Sequence, residues 1–185
     1  MRAVVLEVDQ AWLAERQRLG LDRFDEMWEG VLHVVPPPKR RHQYLASDLA
    51  AELRVAARRV GCRVAVQVGV FAEANDYREP DVAVVPSASE AERGVDGPLL
   101  VAIEVLSPYD ESYEKVPWYL SRGAGSVVIV DPGTYAVEVF TTAGNAEPDP
   151  DGLFVIPGLG ARLGPSTDRG ALLVETVDGV ARIEA

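Results

Sequence analysis

The sequence predicts an α/β (α+β) domain built on a mixed β-sheet flanked by helices, with a β-rich C-terminal tail. Three observations predict this class: a long amphipathic helical pattern over residues 42–60, valine-rich strand patterns after it, and an almost entirely apolar run at residues 99–106. A strand this apolar is typical of a central strand covered on both faces. The predicted elements follow the order α–ββ–α–βββ–α–ββ, with the tail after them.

The amino-terminal part of the chain predicts two helices and a hairpin. Residues 9–20 predict a short helix capped by Asp9, and residues 24–38 predict a hairpin that turns near Gly30. Residues 42–60 carry apolar side chains at steps of three and four, which predicts one buried helical face. These apolar positions are Leu45, Leu49, Leu53, Ala56 and Val60.

The middle of the chain predicts five strands and one helix. The strands are expected at residues 63–73, 80–85, 99–106, 126–131 and 135–141, and the helix at roughly 113–122. Pro117 suits only a first helical turn, so we expect that helix to begin near Glu114 or Lys115. We divide the chain into a core with the N-terminal helix and hairpin (1–141) and a β-rich extension of the same domain (142–185).

Composition narrows the class of protein. The 185 residues are 48% hydrophobic, enough to bury the core of one domain. The lone cysteine, Cys62, excludes an internal disulfide and a CxxC metal site. No apolar run approaches the roughly 20 residues of a membrane span. We find no secretory signal, and we therefore expect a cytoplasmic protein.

The charge is acidic overall but uneven. With 18 basic and 29 acidic residues the net charge is −11, which gives the chain no general attraction for nucleic acid or an anionic membrane. Residues 39–63 nevertheless hold seven of the basic residues and only two acids. This segment is either a face that contacts phosphates or a solvated helix face whose arginines pair with acids elsewhere.

Two carboxylates are candidates for a metal site. Strand alternation places Glu104 inside an apolar face, where its charge requires a cation, strong donors or a raised pKa. Asp81 opens a short apolar strand directly after a proline. Carboxylates on neighbouring strands can bind one hard cation such as magnesium. The alternatives are a structural glutamate paired with an arginine and an ordinary aspartate at a strand edge.

Lys115 is the third candidate residue for this site. It follows Glu104 by eleven positions, and a helix entering there could lay its amine over the ends of the strands. A lysine close to a metal can orient or deprotonate a water molecule. The alternative is a solvated lysine in the first turn of a helix.

A set of short motifs resembles the Uma-type family of PD-(D/E)xK restriction-endonuclease-like proteins. The similarity covers roughly residues 20–140, and His42-Gln43 matches the first helix of the family. The remaining matching segments are residues 28–32, 36–38, 79–82, 103–108, 114–120 and 130–132.

The resemblance implies a restriction-endonuclease-like core and hydrolysis of phosphodiester bonds in nucleic acid, with DNA the expected substrate. It implies a divalent cation, normally Mg²⁺ with Mn²⁺ as the alternative, bound by Asp81 and Glu104 with help from the Val105 carbonyl. Lys115 would position the attacking water. The residues expected to bind nucleic acid are Lys39, Arg40 and Arg41. We also expect a homodimer, because many nucleases of this type pair to reach both strands.

The sequence departs from the family pattern in three ways. One is Pro117, which stands where the family usually has an ordinary helix former. Leu106 stands where the parent motif has its lysine, so that role passes to Lys115 on the next helix. Val31 stands where an acid often follows the hairpin glycine, and Glu29 could substitute. Two alternatives stay open: an inactive nuclease fold that serves as a binding or assembly module, and a β-rich protein whose valine strands pair between subunits.

Overall fold

The computed structural model describes residues 3–5, 9–22, 24–88, 90–91, 94–108 and 111–185. No helix within these ranges is both long enough and apolar enough to cross a membrane. The helices are α1 (Gln10–Leu19), α2 (Arg40–Arg59) and α3 (Ser112–Ser121). The first strands are β1 (Ala3–Val5), β2 (Glu26–Trp28), β3 (Val31–Val34), β4 (Cys62–Val66), β5 (Val70–Glu73), β6 (Asp76–Arg78), β7 (Val82–Pro86), β8 (Glu90–Ala91) and β9 (Gly94–Val95). The later strands are β10 (Val101–Val105), β11 (Ser126–Val130), β12 (Val137–Thr141), β13 (Gly144–Asn145), β14 (Phe154–Ile156), β15 (Ala161–Pro165), β16 (Leu172–Thr176) and β17 (Gly179–Ile183).

The strands form three sheets. The central sheet has six strands in the order β13-β12-β11-β10-β7-β4. Its β10 and β11 are parallel and are joined by α3, which makes a βαβ unit. A second sheet runs β1-β3-β2-β6-β5-β9-β8, and the tail forms a third, antiparallel sheet from β14 to β17. This mixed architecture of sheets and helices confirms the predicted fold class.

The central sheet is covered on both faces, as the apolar pattern of residues 99–106 predicts. Val101, Ile103 and Val105 belong to a cluster with the buried leucines of α2 and with apolar residues of the tail sheet. Ala102, on the other face, belongs to a cluster with Tyr119 of α3. Each fully buried leucine contributes about 1.5–3 kcal/mol, so the leucine stripe of α2 anchors that helix firmly.

Two local predictions fail. Residues 63–73 form β4 and β5 in different sheets rather than one strand, because the chain turns at Gln67, whose φ of 52° is left-handed. Helix α3 begins at Ser112 rather than near Glu114 or Lys115, so Pro117 lies about one turn inside it. The helix loses one backbone hydrogen bond there but keeps the packing of its buried residues.

The predicted cap of α1 and the predicted hairpin turn are confirmed. The Asp9 carboxylate accepts a hydrogen bond from the Ala11 N–H at 2.9 Å and caps α1. The hairpin of β2 and β3 turns at Glu29 and Gly30, both with positive φ. A two-residue turn of this kind matches the natural twist of a hairpin. The hairpin therefore presents β2 in a defined register.

Candidate functional site

The strand register brings Asp81 and Glu104 together. Strand β7 pairs with β10 so that Val82 lies opposite Ile103, and one position further along the same register sets Asp81 opposite Glu104. Residues directly opposite each other on paired strands point to the same face of a sheet. The Val105 N–H donates to Asp81 Oδ2 at 2.8 Å, which holds the aspartate against β10.

Helix α3 places two more polar groups on Glu104. Lys115 Nζ lies 3.2 Å from both Glu104 carboxylate oxygens, and the Tyr119 hydroxyl donates to Glu104 Oε1 at 2.8 Å. Lys115 and Tyr119 are four residues apart and so share one face of the helix. The structure therefore brings the three residues predicted as catalytic, Asp81, Glu104 and Lys115, to one place.

A third carboxylate, which the sequence analysis did not identify, comes from the hairpin. Glu26 of β2 lies with Oε1 2.7 Å from Lys115 Nζ and also accepts the Glu79 N–H at 2.9 Å. Its other oxygen accepts the Trp28 indole N–H at 2.7 Å. Glu26 is thus held on both oxygens, and Lys115 is shared between two acids. Glu29, the candidate from the sequence, lies exposed in the turn.

His42 is the second site residue that the sequence analysis missed. It lies in the first turn of α2, and its Nε2 is 3.1 Å from Asp81 Oδ2. His42 Nδ1 is buried and has no hydrogen-bond partner among the described residues. In the tautomer that carries its proton on Nε2, that N–H can donate to Asp81 Oδ2 and Nδ1 has no proton that needs a partner. His42 can therefore hold the Asp81 carboxylate in place.

Burial and crowding shift the protonation of this cluster. Burial raises the pKa of Glu104 to about 8; the charge of Lys115 opposes this shift, and the charges of Asp81 and Glu26 add to it. Burial alone would lower the pKa of Lys115, but the charges of Glu104 and Glu26 outweigh it and raise that pKa above the usual value. Lys115 therefore keeps its proton, and the titrating group at neutral pH is Glu104.

These side chains open into a cavity of about 360 Å³. Asp81, Glu104 and Lys115 lie in its lining together with Glu26, His42 and Val105. The segment that joins β3 to α2, including three prolines and Lys39, forms another part of the lining.

The other two basic residues predicted to bind nucleic acid lie at the start of α2. Arg40 is exposed there. The Arg41 guanidinium lies over the Tyr135 ring and donates to its hydroxyl at 3.1 Å.

The donor set fits a divalent cation. When they are ionised, the three carboxylates exceed the single ammonium by two negative charges, and carboxylate and carbonyl oxygens are the ligands that Mg²⁺ prefers. Within the described part of the chain, no group of three or more His, Cys, Asp and Glu side chains is arranged to hold a metal ion. Asp81 and Glu104 are the two facing carboxylates whose oxygens could hold such a cation.

Two solved structures are similar to this chain to different degrees. A solved structure of a "putative nuclease belonging to DUF820" from Anabaena variabilis ATCC 29413 superposes with a TM-score of 0.63 and 19% identity, over 73% of this chain and 82% of that one. The cryo-EM structure of a DrdV–DNA complex aligns more weakly, with a TM-score of 0.41 and 14% identity, over 59% of this chain and 10% of that one.

The first of these likenesses supports the fold. None of the curated proteins matches the chain significantly. A family model with the description "Putative restriction endonuclease" matches residues 15–166, which is most of the chain and includes every residue of the site. The chain therefore belongs to the Uma2 family.

Proposed function

We propose that this protein is a metal-dependent endonuclease that hydrolyses phosphodiester bonds in nucleic acid, with DNA the expected substrate. One observation carries the proposal: Asp81, Glu104 and Lys115, which come from three separate elements, converge on one cavity. The placement of Lys39 in the same lining adds a positive charge where a phosphate would approach. Asp81, Glu104 and the Val105 carbonyl would hold the cation, Mg²⁺ or Mn²⁺.

A bound cation would supply charge stabilisation and a more acidic water. The protein's own groups have distinct tasks. Lys115 keeps its proton, so it stabilises negative charge on a phosphate rather than removing a proton from water. Glu26 holds the Lys115 amine in place, and the Val105 N–H and His42 hold the Asp81 carboxylate.

The test is cleavage of DNA and RNA by the purified chain with Mg²⁺ or Mn²⁺. We expect Asp81→Asn to lower the rate about a thousandfold, because loss of a cation's stabilisation costs several kcal/mol and each 1.4 kcal/mol is a factor of ten. Asp48→Asn, an exposed aspartate on α2 outside the cavity, is the matched control and should cleave like the wild type. Equal rates for the two variants would contradict the proposal.

Cation binding can be measured independently of cleavage. Calorimetry with Mn²⁺ should show affinity that rises with pH up to about 8, because Glu104 must lose its proton before it can bind the ion. Below that pH the affinity should change by up to tenfold per pH unit. If no cation binds and Asp81→Asn behaves like the wild type, the protein is an inactive nuclease fold that serves as a binding or assembly module.

Two further parts of the proposal concern the cellular location and the oligomeric state of the protein. We expect it to act in the cytoplasm, where its single cysteine would stay reduced. We also expect a homodimer, since cutting both strands of a duplex requires two sites. Sedimentation at several concentrations tests this expectation, and a monomer throughout would contradict it.

A further inference from the structure

The cavity at the candidate site combines two chemically different surfaces. One is the charged group of Glu26, Asp81, Glu104 and Lys115. The other, which we name the apolar wall, lies on the segment before α2 and on the chain that precedes β2. The apolar wall consists of Phe24, Val34, Val35, Pro36, Pro37 and Pro38. A nucleotide site requires positive charge for the phosphate, which Lys39 and Lys115 supply here, and an apolar surface for the base.

The charged groups are recessed. The side chains of Glu104, Lys115 and Asp81 are only 3%, 12% and 17% exposed. The cavity volume of about 360 Å³ lies at the lower end of the range for clefts that hold small molecules. A ligand must therefore reach these groups as a unit about the size of a small molecule.

This geometry separates paired from unpaired nucleic acid. The phosphates of a duplex are held on a stiff helix whose bases remain stacked inside it. An unpaired nucleotide can turn its base away from the strand and enter a pocket, and duplex substrates reach such pockets only after paying for unstacking. Three of the six residues of the apolar wall are prolines, which restrict the φ angles of that segment.

We infer that this cavity binds one unpaired nucleotide, with its base on the apolar wall and its phosphate beside Lys39 and Lys115, so that the substrate is single-stranded nucleic acid. The inference rests on the proposed function and narrows its substrate. The base contacts the wall through its ring face, which every base has, so DNA and RNA strands share this chemistry. A single strand needs only one site, so this inference removes the argument for a homodimer that rests on cutting both strands of a duplex.

The experiment measures binding without chemistry. Short fluorescent oligonucleotides of single-stranded DNA, single-stranded RNA and duplex DNA are titrated with the protein in EDTA and again with Ca²⁺, a cation that carboxylate oxygens bind, and anisotropy gives the dissociation constants. We expect a single strand to bind at least tenfold more tightly than the duplex. Phe24→Ala should weaken single-strand binding by roughly five- to 150-fold, the range found when stacking of a base on an aromatic ring is lost. Tyr44→Ala removes an exposed aromatic outside the cavity and should bind like the wild type.

A second variant keeps the inference testable if Phe24→Ala fails to fold. Val35 is 40% exposed, so Val35→Glu adds a negative charge to the apolar wall without burying it. It should weaken single-strand binding more than Val155→Glu, a matched change at an exposed valine of the tail sheet. The inference is overturned if the duplex binds as tightly as the single strand, or if each wall variant equals its control.

Failure of this inference and failure of the proposed function give different results. If a duplex is cleaved in a manner that depends on Asp81 but not on Phe24, the nuclease proposal stands and the single-strand inference is wrong. If single strands bind through Phe24 but no nucleic acid is cleaved with either cation, the cavity is a binding site for single strands and the hydrolytic proposal is wrong.

Discussion

Asp81 and Glu104 face each other across one pair of strands, yet their surroundings differ. Asp81 is held by an imidazole and a backbone N–H at the edge of the cavity. Glu104 is 3% exposed and shares its lysine with another buried acid, Glu26. The difference shows that two carboxylates on one strand pair can be controlled in different ways. Hydrogen bonds set the position of Asp81, whereas the balance of buried charges sets the protonation of Glu104. Changes in pH and in charge should therefore act mainly through the Glu104 side.

The largest effect should come from removing the Lys115 ammonium, which lies beside Glu104. Lys115→Met leaves the buried Glu26 carboxylate without its cationic partner and removes a contact of Glu104, and breaking a buried ion pair in this way costs about 3–5 kcal/mol in the free energy of unfolding. Urea denaturation near neutral pH measures the loss. Lys39→Met is the matched control at an exposed lysine of the same cavity and should stay within about 0.5 kcal/mol of the wild type. Similar losses of unfolding free energy in both variants would show that the buried charges around Glu104 do not determine the stability of this part of the protein.

The pH dependence of stability should come next in size. Burial raises the pKa of Glu104 from its ordinary value of 4.5 to about 8, so between these values the folded protein binds more protons than the unfolded chain. The free energy of unfolding should therefore fall as pH rises through this window. Glu104→Gln removes the titrating proton, so its stability relative to the wild type should increase with pH. Glu29→Gln, a matched change at an exposed glutamate, should keep the wild-type slope. Parallel curves for the wild type and Glu104→Gln would exclude Glu104 as the titrating group.

A smaller effect is expected from the Asp81 side. His42→Ala removes the side-chain donor that orients Asp81, and loss of such an outer hydrogen bond weakens metal binding by about 10–100-fold. Calorimetry with Mn²⁺ measures the change. His42→Gln offers a replacement donor and should recover part of the affinity. Glu104 should still release its proton on binding, so the pH dependence of affinity should persist in both histidine variants. Affinity unchanged in His42→Ala would mean that the backbone N–H of Val105 orients Asp81 alone.

The smallest effect should distinguish the basic residues at the cavity rim. Lys39→Ala should reduce the salt dependence of single-strand binding by about 0.7 in the log–log slope, the contribution of one phosphate contact. Arg41→Ala should change it less, because the Arg41 guanidinium already lies over Tyr135 and donates to its hydroxyl. Anisotropy titrations over a range of salt concentrations provide the slopes. A larger change in Arg41→Ala than in Lys39→Ala would reverse this assignment.

The sequence predicted the pair of carboxylates and the lysine because each interrupts a strong local pattern. Glu104 stands in an apolar strand, Asp81 starts one, and Lys115 lies where the next helix begins. Glu26 and His42 stand in segments where polar side chains are ordinary, and their roles depend on contacts with residues 89 and 39 positions away. Only the tertiary structure brings these residues together.

The elements of the fold also divide into those that the local sequence pattern predicts and those that it does not. The leucine stripe of α2 and the apolar pattern of β10 predicted which faces are buried, since both are periodic. The break between β4 and β5 was missed because valines continue through it, while the turn depends on one backbone angle at Gln67. Helix α1 carries the apolar residues Trp12, Leu13 and Leu19, yet Trp12 is 41% exposed and the helix buries none of its residues.

The βαβ unit of β10, α3 and β11 contains Glu104, Lys115 and Tyr119 within 30 consecutive residues, whereas Glu26 joins from a hairpin far earlier in the chain. Short segments close at a lower entropic cost than distant ones. We therefore expect this unit to assemble early in folding, with the lysine already paired to one acid before the hairpin docks. The arrival of the hairpin then completes the charged cluster, which makes the order of assembly a safeguard against an isolated buried amine.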